Sequence, residues 1–255
     1  MFNARLDDIF LLRESMAVVS DLIDETELHI KRDGIEMIAT DRAVVAVVDF
    51  FLSADAFKDY IYEKDLKLGI NLLNFMQILK RAQADDILKM KIVENKLQVI
   101  FERDSEQTPF TRSFDIPLID VSKEDIPDLT KLEAGFSASL TIDSEVMNSG
   151  IDDAELIADS IVFTVRKDLL MMKATSDSST TQLELPTGSD ILKINEINEP
   201  VRARYSLDYL KKIFKARKLS KEAKIFMSTD YPMKVQFEVT DKLKLGFILA
   251  PRIEE

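Results

Sequence analysis

The chain has 255 residues, 46% hydrophobic and 31% charged, a balance that suits a folded protein with one large core or two ordinary ones. No run of about 18 apolar residues is present, so no helical membrane span is expected, and Asp7 and Asp8 fall where a secretory signal would carry its apolar stretch. Cysteine is absent, which excludes disulfides, thiol catalysis and cysteine-ligated metals and suits a reducing, cytoplasmic interior.

Ile9, Leu12, Met16 and Val19 recur at helical spacing and predict a helix near 8–22. Alternation at Leu28/Ile30 and Ile35/Met37/Ala39 predicts strands, and the β-branched run Val44–Val48 reads as another. Asn71 can cap a second helix carrying Leu72, Phe75, Met76 and Leu79. Strands follow near 87–93, 96–103 and 109–116. From Ile116 to Asp128, two prolines and several acids predict an extended connector lying on the surface. Beyond it come a helix near 144–157, strands between about 160 and 184, a helix from Ser206 to about Lys218, and strands near 223–228, 234–240 and 243–250. Strands dominate both halves, so each reads as a helix-bearing antiparallel sheet, an α+β domain.

The order repeats because the sequence repeats. Asp33, Met37, Ala39 and Thr40 match Asp168, Met172, Ala174 and Thr175 at an offset of 168 − 33 = 135. Leu72, Ile78 and Lys80 match Leu207, Ile213 and Lys215 at the same offset, and Val99, Phe101 and Glu102 match Val235, Phe237 and Glu238 one residue further on. A period this long indicates two similar domains rather than a solenoid. The expected division is 1–117 and 135–255, joined by a connector over 118–134.

The net charge of −12 argues against a polyanion partner unless the 34 basic residues are concentrated on one surface. In the helix from Ser206, Leu207, Leu210 and Phe214 form an apolar stripe, while Lys211, Lys215 and Lys218 form a basic one with Lys212 and Arg217 beside it. Lys80 and Arg81 end the corresponding helix of the first half, and Arg13 projects from its first helix. Lysines so placed suit sequence-independent phosphate contacts, and an ordinary solvated helix face has the same pattern. No chemistry-bearing motif competes. His29 is the sole histidine and is expected on the outer face of a strand, and glycines number six with no phosphate-binding loop. The acid pairs Asp7-Asp8, Asp85-Asp86 and Asp152-Asp153 stand in no metal-ligand pattern, and Ser176, Ser178 and Ser179 have no histidine base. No catalytic residue, metal or cofactor is expected, which leaves a binding or structural role.

The opening Met1–Leu6, the segment Asp33–Met37, Gly69–Leu72 followed by Ile78-Leu79-Lys80, the connector Pro117–Val121 and the ending Leu249–Glu255 resemble the proliferating cell nuclear antigen family. The resemblance spans the whole chain, and its connector and ending are most similar to archaeal members. It implies a DNA-clamp fold: two domains per subunit, each an antiparallel sheet with two helices, closing as a trimer into a ring of pseudo-sixfold symmetry. It implies a non-catalytic processivity factor for DNA replication and repair that encircles double-stranded DNA without reading its sequence. Arg13, Lys80, Arg81, Lys211, Lys212, Lys215 and Lys218 would face the DNA. DNA polymerase, clamp loader, flap endonuclease and DNA ligase would dock short peptides, bearing a glutamine and paired aromatics, into an apolar pocket. The matching positions are Thr40, Val44, Val45, Val47, Ile126, Pro127, Pro232, Ile248, Ala250 and Pro251. Subunits would join edge to edge through residues 108–116, with Phe110, Arg112 and Phe114, and residues 175–184, with Thr181 and Leu183. One departure stands out: residues 144–155 offer no Lys or Arg on a helix that the family makes basic. A patchily positive channel and weak DNA contact are therefore expected. The alternatives are one subunit of a heterotrimeric clamp, a checkpoint-type relative, and a duplicated two-domain ligand-binding protein with a cleft between its halves.

Overall fold

The protein is described by a computed structural model over residues 1–83, 85–103, 110–122 and 126–253. Residues 108 and 109 of the first expected edge, 123–125 of the connector and the closing 254–255 lie outside these. The chain forms two compact units, one of Met1–Ala39, Asp49–Glu124 and Val239–Leu245, the other of Thr40–Val48, Asp125–Glu238 and Gly246–Glu255.

In the first half, β1 (Phe2–Leu6), α1 (Phe10–Val19), β2 (Glu25–Ile30), β3 (Gly34–Thr40), β4 (Ala46–Ser53) and β5 (Asp59–Tyr62) lead to β6 (Leu66–Asn71) and α2 (Leu72–Leu79). Then come β7 (Ile87–Val93), β8 (Lys96–Arg103) and β9 (Phe110–Pro117). After a short α3 (Leu129–Glu133), the second half runs β10 (Ala138–Asp143), α4 (Ser144–Glu155), β11 (Ser160–Arg166), β12 (Leu169–Thr175), β13 (Thr180–Pro186), β14 (Leu192–Ile197) and β15 (Val201–Ser206). It closes with α5 (Leu207–Phe214), a 3-10 turn over Lys215–Lys218, β16 (Glu222–Met227), β17 (Met233–Val239) and β18 (Leu243–Leu249).

The strand orders of the halves coincide. β5-β1-β7-β8-β9 is reproduced by β14-β10-β16-β17-β18, and β4-β3-β2-β6 by β13-β12-β11-β15. The spacing seen in the sequence carries through: β3 and β12 begin 169 − 34 = 135 residues apart, β6 and β15 begin 201 − 66 = 135 apart, and α2 and α5 begin 207 − 72 = 135 apart. Equivalent positions do equivalent work. Val99 and Phe101 of β8 and Val235 and Phe237 of β17 are fully buried, because alternate residues of a strand face the same way.

Each half carries two main helices, laid side by side as α1 with α2 and α4 with α5. Asn71 caps α2 as expected, its side chain accepting the Asn74 amide at 2.9 Å. Leu72, Phe75, Met76 and Leu79 form the buried face of that helix. In α5 the buried residues are Leu207, Leu210, Ile213 and Phe214, so lysines are left on the other side. α4 presents Gly150 to the sheet, where an added Cβ would lie 2.8 Å from both Leu183 Cδ2 and Met172 Cε. A larger residue there would require those two side-chain ends to move aside.

Several expectations needed correction. The Val44–Val48 run is not strand throughout, because β4 begins at Ala46. Val44 sits in a turn at φ 56°, a conformation rare for a β-branched residue. α1 is shorter than predicted, and the helix from Ser206 tightens to 3-10 geometry at Lys215. β1, β5, β6, β10, β14 and β15 were not anticipated, nor was α3 inside the 118–134 stretch. The connector does lie along the surface: the Ile119 amide donates to the Gly69 carbonyl of β6 at 2.9 Å and the Leu118 amide to that of Asn95 at 3.0 Å. Any side chain at Gly69 would collide with the Ile119 carbonyl. Among the described residues no helix is long and apolar enough to cross a membrane.

Candidate functional site

Three surfaces gather the residues singled out in the sequence. The first is the basic face of α5 and of the 3-10 turn that follows it. Lys211, Lys215 and Lys218 are exposed, and Lys212 and Arg217 are half-buried. These cations are not a bare row. Lys211 Nζ lies 2.7 Å from Glu155, Arg217 Nε lies 3.0 Å from Glu145, and Lys212 Nζ lies 2.8 Å from Asp208. Two of the three acids come from α4, a helix without a basic residue. The hydrogen bond that Lys211 donates to Glu155 also raises the Lys211 ammonium above its ordinary pKa. In the first half, Arg13 Nε pairs with its neighbour Glu14 at 3.1 Å. Lys80 and Arg81 are exposed at the end of α2 and have no ion-pair partner among the described residues. There the helix dipole favours cations, which leaves both free to meet an external anion.

For the second, the ten expected apolar-pocket positions all belong to the second compact unit. Val47, Ile248 and Thr40 are buried, at 7%, 6% and 8% exposure. Val45, Pro127, Pro232, Ala250 and Pro251 are half-buried, and Val44 and Ile126 project, at 70% and 42% exposure. The Ala250 amide donates to the Val45 carbonyl at 2.9 Å, which ties the end of β18 to the 41–45 turn. That turn is shaped by Asp41. Its Oδ1 accepts the amides of Val45 and Ala46, both at 2.7 Å, and its Oδ2 accepts the Tyr209 hydroxyl at 2.6 Å and the Ala43 amide at 3.3 Å. Burial pushes the Asp41 carboxyl up, but these donors outweigh it and hold its pKa below the ordinary value. Tyr209 moves the opposite way, up to about 12, because it is desolvated and donates to that carboxylate.

The third surface is a pair of open edges. β9 is the last strand of its sheet and β13 the last of its own. Phe110, Arg112 and Phe114 alternate on one face of β9, and Thr181 and Leu183 on one face of β13, all half-buried. Behind β9, Asp86 is fully buried and receives the guanidinium of Arg103 at 3.1 Å, that of Arg112, and the Gln83 amide at 2.9 Å. Both arginines stack on the Phe110 ring, at 4.7 and 5.1 Å from its centroid.

Residues 1–125 match the family model for the proliferating cell nuclear antigen, N-terminal domain, and residues 130–252 match that for its C-terminal domain. The chain belongs to this family. Among curated members of the proliferating cell nuclear antigen family, it is 33% identical over 241 residues to the "DNA polymerase sliding clamp" of Thermococcus gammatolerans, covering 94% of each chain. Proteins of that name from Methanothermobacter thermautotrophicus, and "DNA polymerase sliding clamp 1" of Thermococcus kodakarensis, are 30% and 32% identical over 255 residues, all of this chain and 99% of theirs.

Two features of this family member escaped the sequence reading. The Asp41–Tyr209 bond joins residues 168 positions apart, and the Asp86–Arg103–Arg112 cluster joins a loop to β8 and β9. Asp86 is a loop acid, as expected, but nothing local announces its burial. His29 stands on its strand as expected, near Glu27 and Glu36 at 3.4 and 3.7 Å.

Proposed function

We propose that this chain is the subunit of a trimeric ring that encircles duplex DNA and tethers replication and repair enzymes to it. The observation that carries the reading is the doubled fold with open edge strands, β9 and β13. A chain whose two halves share one strand order and each bear a helix pair can line a hole quasi-symmetrically, and pairing β9 with a neighbour's β13 satisfies the free backbone groups of both. Family membership and the relatives named as DNA polymerase sliding clamps support it. The domains would be 1–117 and 135–255 with the connector at 118–134.

In this reading Arg13, Lys80, Arg81, Lys211, Lys212, Lys215 and Lys218 face the phosphates and let the ring slide. The patch around Val45, Val47, Pro232, Ile248 and Ala250 receives glutamine- and aromatic-bearing peptides of polymerase, clamp loader, flap endonuclease and ligase. An enzyme that lets go of the DNA then stays at high local concentration, which is the physical content of processivity. The role is non-catalytic and belongs in the cytoplasm, at the nucleoid. The Thr- and Glu-bearing β13 edge favours a second reading, a subunit that needs different partners to close the ring.

The test is light scattering of the purified chain, followed by retention on closed circular and on linear duplex after loading. A trimer held by circles and lost from linear ends supports the homotrimeric ring. A lone chain that closes only with other subunits supports the second reading. A chain that stays solitary with every partner, or is held equally by both DNAs, refutes encirclement.

A further inference from the structure

We infer that Tyr209 is a positioning residue for the peptide-docking surface: through Asp41 it fixes the turn that offers Val44 and Val45 to a partner peptide. The inference rests on the reading of that surface given above. The Asp41 carboxylate divides its duties. One oxygen holds the Val45 and Ala46 amides, and the other has the Tyr209 hydroxyl at 2.6 Å and only a longer contact, 3.3 Å, to Ala43. Without the hydroxyl, that second oxygen is left nearly bare in a buried place, and the carboxylate can swing off the turn. The turn has reason to relax, because Val44 stands at φ 56°. The brace itself is firm. Tyr209 sits on α5, anchored by the buried Leu207 and Leu210, and Lys212 lies over its ring at 5.5 Å while pairing with Asp208. The helix that bears the lysine stripe therefore also sets the shape of the docking turn.

The experiment uses the full chain, with Tyr209→Phe and, as a second variant, Asp41→Asn. Amide hydrogen exchange is followed at residues 43–46, and a synthetic peptide with one glutamine and two adjacent aromatics is titrated calorimetrically. Tyr209→Phe is expected to speed exchange at Val45 and Ala46 about tenfold and to weaken peptide binding by about fivefold to tenfold. The unfolding midpoint should stay within about 2 °C, and Asp41→Asn should show a larger loss of binding. Unchanged exchange at these amides overturns the brace. Altered exchange with wild-type peptide affinity overturns its role in docking. If the wild-type chain does not bind the peptide at all, the reading of the surface fails and the inference with it, a result distinct from either of the others.

Discussion

If α5 faces DNA as proposed, replacing Glu145 and Glu155 of α4 with glutamine should strengthen its contact with DNA. The two carboxylates lie 3.0 Å from Arg217 and 2.7 Å from Lys211, so a phosphate approaching either cation now competes with a partner already in place. The pairs are open to solvent, with Glu145 71% and Glu155 44% exposed, and exposed pairs contribute little to folding. The double variant should therefore fold as the parent does. Its formal charge moves from −12 to −12 + 2 = −10. If both freed cations reach phosphate in one subunit, the slope of log K against log salt should steepen by about 2 × 0.9 = 1.8. Between about 50 and about 200 mM salt, that adds about a 12-fold loss of affinity to whatever the parent shows, with tighter binding at the low-salt end. Fluorescence anisotropy on a short labelled duplex, repeated across salt, gives the slope directly. An unchanged slope in a well-folded trimer would mean that α5 does not face DNA, and the assignment of its lysines would fall.

Asp86→Ala should destabilise the fold by about 3 kcal/mol, since it strands two arginines around an empty site. The low end of the usual range applies because Arg103 and Arg112 are 19% and 28% exposed. Thermal denaturation should show a drop of roughly 6–12 °C, and light scattering should show a weakened oligomer because Arg112 sits on the β9 edge. Gly69→Ala should displace the connector, break the Ile119 amide bond to β6 and cost about 2 kcal/mol; limited proteolysis near residues 118–122 should speed up in step, and unchanged cleavage would count against that contact. For Asp41, the folded carboxyl lies below its ordinary pKa of 3.8, so its contribution is fully present above about pH 4 and is lost as pH falls through the folded value. Denaturation midpoints followed downward in pH should decline less steeply for Asp41→Asn than for the parent in that acid window, and parallel curves would refute the assignment.

The doubled architecture was legible because its signal is long-range and redundant. Leu72/Leu207 and Val99/Val235 occupy equivalent core positions, and a core tolerates little drift. α2 and α5 were legible from periodicity, and the Asn71 cap from its chemistry. β1, β10 and β14 were not, since short strands with mixed outer faces such as Phe2–Leu6 and Leu192–Ile197 give too few alternations to read. At the candidate site the lysine stripe was visible, but its pairing with Glu145 and Glu155 was not. Those contacts depend on how α4 and α5 lie together, which no local pattern encodes. Val44 misled for a related reason. Its β-branched side chain favours a strand, while Asp41, three residues earlier, draws the backbone into a turn.

Asparagine or glycine would occupy the Val44 position with less backbone strain. The chain instead holds an isopropyl group there, seven-tenths in water, giving up backbone ease for an apolar knob that serves no core of its own. In the proposed docking, an arriving peptide would find that knob already aimed. The ordering that a floppy loop would undergo at each encounter has been completed once, during folding, so under that reading successive enzymes would exchange on the same seat without rebuilding it.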